Sequence, residues 1–322
     1  MTENSPPPEP KPSIEETVHR PVLFNEVLEI LSPKEGGIYF DGTLGGGGHS
    51  LAIADRVGPK GLVIATDRDA AALDRVEARL AKEKSPGRGT VRMAQSDYAD
   101  FPEVLEALHV EEVDGFLLDL GLSSDQLADQ TRGFSFNAEG DLDLRFDASD
   151  GVPAWLLLRR WSAEKIADVI YTYGEERYSR RIAREIVKRR ESAPLRKAAE
   201  LAEICRRVIP RTPGRGRERI DPATRTFQAL RIAVNDELGA LERFLKRAPR
   251  YLKPGGIIAI ISFHSLEDRI VKTAFRSTPE LDVLTNKPIE ADAREKEENP
   301  RARSAKLRAA IRPILTNTTR GK

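Results

Sequence analysis

The spacing of apolar and polar positions predicts short buried strands that alternate with helices. Continuous apolar runs bounded by turn residues are typical of strands that are covered on both faces of a parallel sheet. Helical periodicity separates the first four runs, and alternating strands and helices predict an α/β fold. We therefore expect a Rossmann-like, mainly parallel, doubly wound sheet with its ligand site at the carboxyl ends of the strands. The predicted strands span residues 38–40, 61–66, 90–95, 113–118 and 257–262.

Between the fourth and fifth predicted strands the pattern becomes helical. Residues 130–219 contain no credible buried strand, and a long helical stripe at 227–245 precedes the fifth strand. This interruption predicts an inserted all-helical domain at 130–219. The remaining α/β domain then comprises 18–129 and 220–322. Residues 1–17, which carry five prolines, are predicted to be a disordered tail.

Composition narrows the class of protein. The chain has 322 residues, of which 39% are hydrophobic, and this is enough for one large domain or two of ordinary size. Its one cysteine, Cys205, excludes a disulfide framework and a zinc cluster, and we expect no metal site. No apolar run approaches the ~20 residues of a membrane span. The N-terminal residues lack the apolar core of a signal peptide, so we expect a cytoplasmic protein.

Positive charge is concentrated in the predicted helical insertion. Residues 175–219 contain 15 Lys/Arg and 7 Asp/Glu, a surplus of 8 in a chain whose net charge is only +1. Apolar residues recur every fourth position at Tyr178, Ile182 and Ile186, so the arginines between them share the other side of a helix. Such a surface suits a polyanion such as nucleic acid. A merely solvated helical face remains the alternative.

A glycine-rich turn, DGTLGGGGHS at 41–50, follows the first predicted strand. Position 50 is Ser, so the dinucleotide pattern G-x-G-x-x-G fails, and no Lys follows the glycines as a phosphate loop requires. The turn is close to that of S-adenosylmethionine (SAM) methyltransferases. Asp67, at the end of the second strand and 22 residues beyond Gly45, is placed to accept both hydroxyls of a ribose. A ligand-free glycine loop and a helix-capping Asp67 are the alternatives.

Three further strand ends carry candidate site residues. Asp97 and Tyr98 follow the third strand, whose end approaches the adenine in methyltransferase-like sheets, so that resemblance implies an acceptor for the adenine amine and a cover for its ring; ordinary loop residues are the alternative. Asp119 ends the fourth strand and is followed by glycine, where substrate meets cofactor in such sheets. His264 follows the fifth strand, and we expect it either to accept a proton or to have a structural role.

Seven motifs in order make the chain similar to the bacterial MraW/RsmH family of methyltransferases, over about nine-tenths of its length. They are DGTLGGGGHS, LLDLGLSSDQ, RGFSF, YGEERYSRRIAR, TRTFQALRI, SFHSLEDR and NPRARSAKLR. The resemblance implies a class I SAM-dependent methyltransferase with an inserted helical recognition domain. It implies methyl transfer to the exocyclic N4 amine of a cytidine in small-subunit ribosomal RNA, in the decoding region. The cofactor contacts that it implies are Gly45, Gly47, Gly48, His49, Asp67, Tyr98, Asp119 and Gln126.

The residues that contact the RNA are less well defined by the motifs. GDLDLRFD departs from the family's usual G-P-L-D-M-R at Asp141 and Leu144, but keeps Asp143 and Arg145. Leu120-Gly121-Leu122 replaces the Pro-Pro-aromatic motif of cytosine-N4 DNA methyltransferases, so the aromatic that stacks on the base is open among Phe134, Phe136 and Phe263. The predicted substrate-binding residues are Phe134, Arg145, Arg180, Arg181, Arg184, Arg269, Arg301 and Arg303.

Three other functions compete with RNA methylation. A nicotinamide dehydrogenase needs the missing G-x-G-x-x-G, and a zinc cytidine deaminase needs more than one cysteine. A non-catalytic RNA-binding assembly factor would keep the basic insertion and would not need the glycine turn. We predict that Asp119 is the acceptor for the cytosine amine.

Overall fold

A computed structural model of the protein describes residues 21–83, 85–210 and 221–314. The predicted tail at 1–17 and residues 211–219 of the basic segment 175–219 lie outside these ranges. Within the described residues, no helix combines the length and the hydropathy that a membrane crossing requires.

One sheet of seven strands organises the described part of the chain. Its order is β3-β2-β1-β4-β5-β7-β6, and β1 to β5 pair in parallel while β7 is antiparallel to both β5 and β6. The predicted α/β fold, a mainly parallel doubly wound sheet of the class I methyltransferase type, is confirmed. The strands are β1 Ile38–Asp41, β2 Leu62–Asp67, β3 Thr90–Gln95, β4 Val113–Asp119, β5 Leu252–Ser262, β6 Asp282–Val283 and β7 Lys306–Ile311.

Helices cover both faces of this sheet and fill the segment between β4 and β5. Their bounds are α1 Phe24–Leu31, α2 Gly48–Val57, α3 Ala70–Lys82, α4 Phe101–Ala107, α5 Ser124–Ala128, α6 Ala154–Arg160, α7 Ala163–Gly174, α8 Ser179–Ser192, α9 Ala198–Val208, α10 Thr224–Asn235, α11 Glu237–Arg247, α12 Ser265–Ser277 and α13 Ala293–Glu298.

The apolar runs are continuous because successive side chains enter two different cores. In β4, Phe116 and Leu118 pack with Phe244 of α11 on one face of the sheet. Leu117, between them, packs with Ile53 of α2 on the opposite face. All of these side chains are almost completely buried. A strand covered on both faces needs apolar residues at every position, and this is the pattern from which the strands were predicted.

The helical insertion has a hydrophobic core of its own, and that core extends past the predicted boundary at residue 219. Ile170 of α7, Ile182 of α8 and Leu201 of α9 share one cluster with Phe227 and Leu230 of α10. Helix α10 therefore lies after the predicted insertion in the sequence but packs with it in space.

The predicted helical stripe at 227–245 belongs to two helices rather than one. Asp236 takes a left-handed backbone conformation, with φ 51°, and separates α10 from α11. Leu230 of α10 then faces the insertion, whereas Leu241 and Phe244 of α11 face the sheet. Apolar periodicity alone does not detect this break, because the stripe continues across it while its packing partner changes.

Candidate active site

A cleft of about 910 Å³, including its open mouth, lies at the carboxyl ends of the central strands. Strand order reverses between β1 and β4, which is where doubly wound sheets bind their ligands. Asp67 and Asp97 line the cleft on the β2–β3 side, and Asp119 and Arg301 line it as well. Asp119 ends β4, on the other side of β1.

Asp41, the acid that ends β1, holds the glycine turn in place. Its carboxylate accepts hydrogen bonds from Ser50 Oγ at 2.6 Å and from the Thr43 N–H at 3.0 Å. The side chain is 1% exposed, and burial raises the pKa of Asp41 to about 7 in spite of these bonds. We did not single out Asp41 from the sequence, although its place directly before the glycines was the available signal.

The glycines are required by close packing as well as by backbone conformation. Gly45 has φ 50° and donates its N–H to Asp67 Oδ2 at 2.9 Å. Gly47 has φ 74°, and a Cβ there would lie 2.9 Å from Val76 of α3. A Cβ on Gly48 would lie 2.2 Å from Pro21. Any side chain at Gly47 or Gly48 would therefore push α2 away from its neighbours.

The predicted cofactor residues of this turn do not all reach the cleft. Gly45, Gly48 and His49 line it, whereas Gly47 is the left-handed residue that precedes α2 and packs against α3. The His49 ring is buried and stacks on Phe24 of α1, with 5.9 Å between the ring centroids.

Asp67 is a half-buried carboxylate whose two oxygens both accept backbone hydrogen bonds. Oδ2 accepts from Gly45 and Oδ1 accepts from the Asp69 N–H, each at 2.9 Å. Burial raises the pKa of Asp67 to about 6, and the two N–H donors oppose this shift. Each carboxylate oxygen has about two lone pairs, so the group can still accept two hydroxyls from the cleft.

Tyr98 and Gln126, the other predicted cofactor residues, also line the cleft. The Tyr98 hydroxyl donates to the Glu237 carbonyl at 3.2 Å, which fixes the ring beneath α11. Gln126 forms the capping box of α5 and donates its Nε2 to Asp69 at 3.2 Å. Asp69 also pairs with Arg132 of the RGFSF motif at 2.8 Å, so the cofactor side of the cleft is tied to the insertion.

Asp119 has the least satisfied carboxylate in the cleft. Its N–H donates to Thr43 Oγ1 at 2.6 Å, which fixes the end of β4 against the glycine turn. Its Oδ1 is buried and has no hydrogen-bond partner among the described residues. Burial raises the pKa of Asp119 to about 6, against the lowering effect of the positive charge of Arg301. A buried acceptor without a donor costs stability, and such groups in native proteins call for a functional explanation.

His264 does not line the cleft. Its Nδ1 caps α12 by accepting from the Glu267 N–H at 3.4 Å, and its Nε2 lies 3.1 Å from Glu267 Oε1. The geometry thus gives His264 the structural role that the sequence left open, and it does not support proton acceptance. Glu267 itself is 2% exposed and lines the cleft, although we did not predict it.

None of the three aromatic candidates lines the cleft itself, and Phe263 is the one that lies beside a lining residue. Phe134 is 5% exposed and stacks on Phe146 in the core of the insertion, and Phe136 packs against Phe227 there. Neither faces the cleft, so the prediction of Phe134 as a substrate-binding residue lacks structural support. Phe263 is half-buried and lies next to Gly121, which lines the cleft.

Phe146 is the aromatic side chain from the insertion that lines the cleft, and we missed it. Its N–H donates to the buried Asn235 Oδ1 at 2.9 Å, so α10 holds it in place. The available signal was an aromatic residue at the end of GDLDLRFD.

The predicted substrate-binding arginines occupy three environments. Arg301 lines the cleft. Arg145 makes a two-bond pair with Asp143, at 2.7 and 2.8 Å, which ties it to its own loop. Exposed positions are taken by Arg180, Arg181 and Arg184 on α8, by Arg269, which pairs with Glu175, and by Arg303, which donates to the Lys296 carbonyl.

Comparison with known proteins identifies the family. The family model described as the MraW methylase family matches residues 16–312. The chain belongs to this family. It is 48% identical over 308 residues to a ribosomal RNA small subunit methyltransferase H of Rhodopirellula baltica, covering 93% of each chain. It is 50% identical over 308 residues to the protein of the same name from Sorangium cellulosum, covering 95% of this chain and 94% of that one. The resemblance seen in the motifs is thereby confirmed.

Solved structures of lower similarity include TrmN from Thermus thermophilus. It is 14% identical, with a TM-score of 0.43 over 90% of this chain and 48% of its own. An rRNA methylase from Streptococcus thermophilus is 9% identical, with a TM-score of 0.41 over 90% of this chain and 94% of its own. Likenesses this weak add nothing to the conclusions drawn from the strand order.

The cofactor of this family is S-adenosylmethionine, and the residues of the cleft fit it. Asp67 keeps acceptor capacity for a ribose, and Asp97 and Tyr98 border the adjoining space. The glycine turn leaves room for a ligand beside its backbone, because a Cβ on Gly45 would meet no atom closer than 3.9 Å. The unsatisfied Oδ1 of Asp119 completes this set of groups.

Proposed function

We propose that the protein transfers a methyl group from S-adenosylmethionine to the N4 amine of a cytidine in the decoding region of small-subunit ribosomal RNA. The observation that carries this proposal is the buried carboxylate oxygen of Asp119, which lies in the cleft without a donor. An exocyclic amine is a donor of the kind that this oxygen lacks. The names of the relatives support the RNA substrate.

The reaction needs an amine that is both oriented and made more nucleophilic. The lone pair of the cytosine amine is delocalised into the ring, so the free base is a poor nucleophile. A carboxylate that accepts one of the N–H groups favours a pyramidal nitrogen with a localised lone pair. The N–H bond to Thr43 fixes the backbone of Asp119 at the strand end, so little backbone reorganisation is needed during the reaction.

The cofactor supplies an electrophilic methyl group on its sulfonium. The chain holds that group by accepting the ribose hydroxyls at Asp67 and by covering the adenine side with Tyr98. Gly45, Gly48, His49 and Gln126 complete the wall on the same side. The task of these residues is to align the methyl group with the amine held at Asp119.

The exposed arginines of α8 provide the contact with the RNA backbone. Arg180, Arg181 and Arg184 have no carboxylate partner within the described ranges, so their charges remain available for phosphates. A cytidine must leave its stack to reach a cleft at the strand ends, and backbone contacts hold the strand while this happens.

Methylation of defined RNA tests the proposal directly. Purified protein with SAM is expected to methylate small-subunit ribosomal RNA, offered naked or in an assembled subunit, and mass spectrometry is expected to find one N4-methylcytidine in the decoding region. RNA binding without methyl transfer to either substrate would favour the assembly-factor alternative. That alternative gives no reason for the glycine turn or for the buried acids of the cleft.

A further inference from the structure

Arg301 lines the cleft, and its positive charge acts on Asp119. It comes from the short helix Pro300–Arg303, which precedes β7, and its guanidinium donates to the Leu122 carbonyl in the loop after β4. The same guanidinium lies 5.6 Å from the centroid of the Phe263 ring, which follows β5. Arg301 therefore lies across the loops at the ends of β4 and β5, whereas Asp67 ends β2 and Asp97 follows β3.

The backbone around Arg301 fixes its position. Asn299 caps the short helix by accepting from the Arg301 N–H at 3.3 Å, and the next residue, Ala302, is 0% exposed. Burial lowers the pKa of the Arg301 guanidinium, and the negative charges of Asp119 and Asp125 oppose this effect. An arginine remains charged under such conditions, so the cleft presents a fixed donor group beside a fixed acceptor.

We propose that Asp119 and Arg301 together read the Watson–Crick edge of the target cytosine, with Phe263 as the adjoining aromatic face. This inference rests on the proposed function. Asp119 accepts from the N4 amine, and the planar guanidinium donates to the neighbouring N3 and O2 acceptors. One acceptor and one planar donor group thus match the donor–acceptor–acceptor pattern of cytosine.

The same pair disfavours the other bases. Uracil presents a carbonyl to Asp119 and an N–H to Arg301, so both contacts become repulsive. Adenine presents an amine and one ring acceptor, but has a C–H where cytosine has O2, and the guanidinium loses one bond. A buried polar site rejects a base that leaves its groups unpaired much more strongly than an apolar site rejects a difference in shape.

Base analogues test this inference on the unmodified protein. Small-subunit RNA is prepared with cytidine or 3-deazacytidine at the target position; the analogue keeps the amine and O2 but has no N3 acceptor. Affinity for each RNA is measured in the presence of S-adenosylhomocysteine, which cannot donate a methyl, so amine reactivity does not enter. We expect the analogue to bind roughly ten- to a hundredfold more weakly, as for loss of a hydrogen bond to a charged group.

Variants of Arg301, combined with the two RNAs, test whether the guanidinium and N3 of the base interact directly. Arg301→Met is expected to lower the affinity for the cytidine RNA by a similar factor. It is expected to lower the affinity for the 3-deazacytidine RNA little further, because the N3 hydrogen bond is already missing there. Arg301→Lys keeps the charge but not the planar donor group. Its affinity for the cytidine RNA is expected to lie between those of the unmodified protein and of Arg301→Met. Calorimetry is expected to find SAM affinities of these variants within about threefold of that of the unmodified protein. This is less than the change expected when a hydrogen bond to a charged group is lost. Arg294→Met, at an exposed arginine paired with Glu298, is the matched control and is expected to change none of these values.

The outcomes separate the inference from the proposed function. Equal binding of the two RNAs by the unmodified protein would overturn the reading of N3, whether or not the Arg301 variants fold. Loss of SAM affinity in Arg301→Met, with unchanged discrimination between the two RNAs, would also overturn the inference. Arg301 would then bind the carboxylate of the cofactor rather than the base. If the unmodified protein with SAM methylates no cytidine RNA, the proposed function itself fails.

Discussion

The cleft and the outer face of α8 use charged side chains in opposite ways. Asp67 and Asp119 line the cleft, the buried Asp41 holds the glycine turn beside it, and burial raises the pKa of each. On α8, Arg180, Arg181 and Arg184 are exposed to water, which screens their charges. One carboxylate can therefore decide chemistry where water is excluded, whereas a solvated face acts through the sum of several weak interactions.

The cleft should be sensitive to a single atom, and Asp119→Asn gives the largest expected effect. The substitution keeps the shape of the side chain but removes its charge and one acceptor. We expect the activation free energy of the methyl-transfer step to rise by about 2–4 kcal/mol, which slows the step roughly thirty- to a thousandfold. The change in SAM affinity should be much smaller. Single-turnover methylation at saturating SAM and RNA measures this rate.

Asp114→Asn is the matched control for Asp119→Asn, because Asp114 lies at the other end of β4 and bonds to the Ile38 N–H and to Lys253. It is expected to lower stability without slowing the chemical step. A normal single-turnover rate in Asp119→Asn, with weakened SAM binding, would reduce Asp119 to a cofactor ligand and remove the contrast with α8.

Asp67→Ala is expected to weaken SAM binding while the fold survives. Loss of a carboxylate that accepts ribose hydroxyls should cost about 1.5–3 kcal/mol, roughly ten- to a hundredfold in affinity. Calorimetry measures the affinity, and Asp74→Ala, on the solvent side of α3, is the control. Unchanged affinity in Asp67→Ala would contradict the ribose assignment.

The raised pKa values of the cleft acids predict a pH dependence of SAM affinity. A cationic cofactor with ribose hydroxyls favours the ionised forms of Asp67 and Asp119, and both have a pKa of about 6. Below that value binding must first remove protons, so affinity should fall as pH falls, by about tenfold between pH 7 and pH 5 for one such group. Calorimetry in two buffers of different ionisation heat measures the protons released.

Asp67→Asn isolates the contribution of one group to this pH dependence, because it removes one titrating carboxylate. The variant should show a shallower fall in SAM affinity below pH 6. An affinity that is flat from pH 5 to pH 7 in the unmodified protein would mean that the carboxylates are already ionised.

Charge reversal on α8 is expected to give the smallest effect per residue. Replacing Arg180, Arg181 and Arg184 by Glu should weaken RNA binding and lower the slope of log affinity against log salt, by about 0.7–0.9 for each phosphate that the arginines no longer neutralise. SAM affinity should not change. Filter binding across a salt series measures the slope.

Reversal of Arg250, Lys272 and Arg276 provides a control with the same change in net charge. All three are exposed, and in the sequence they lie after the predicted insertion, in the segment that carries β5 and α12. If both triple variants lower the salt slope equally, the effect comes from net charge, and α8 is only a solvated face.

Local features of the sequence were enough to predict the five parallel strands and the turn, but not the antiparallel pairing of β6 and β7. Apolar runs are continuous where a strand is covered on both faces, as Leu117 and Leu118 show by entering different cores. The acid that follows each run lies at the edge of the sheet where ligands bind, so Asp67 and Asp119 could be selected from their positions alone. These features depend on periodicity and on neighbouring residues, which a sequence displays directly.

Tertiary contacts decided which other side chains reach the cleft. Phe134 and Phe146 lie in neighbouring motifs, but only Phe146 lines the cleft, because Asn235 of α10 holds its backbone there. Arg301 and Arg303 are two residues apart in one short helix, but of the two only Arg301 lines the cleft. Residues brought together from distant parts of the chain have no common period and no fixed spacing. Their selection therefore required the packed structure, whereas the sequence by itself determined the parallel strands and the acids at their ends.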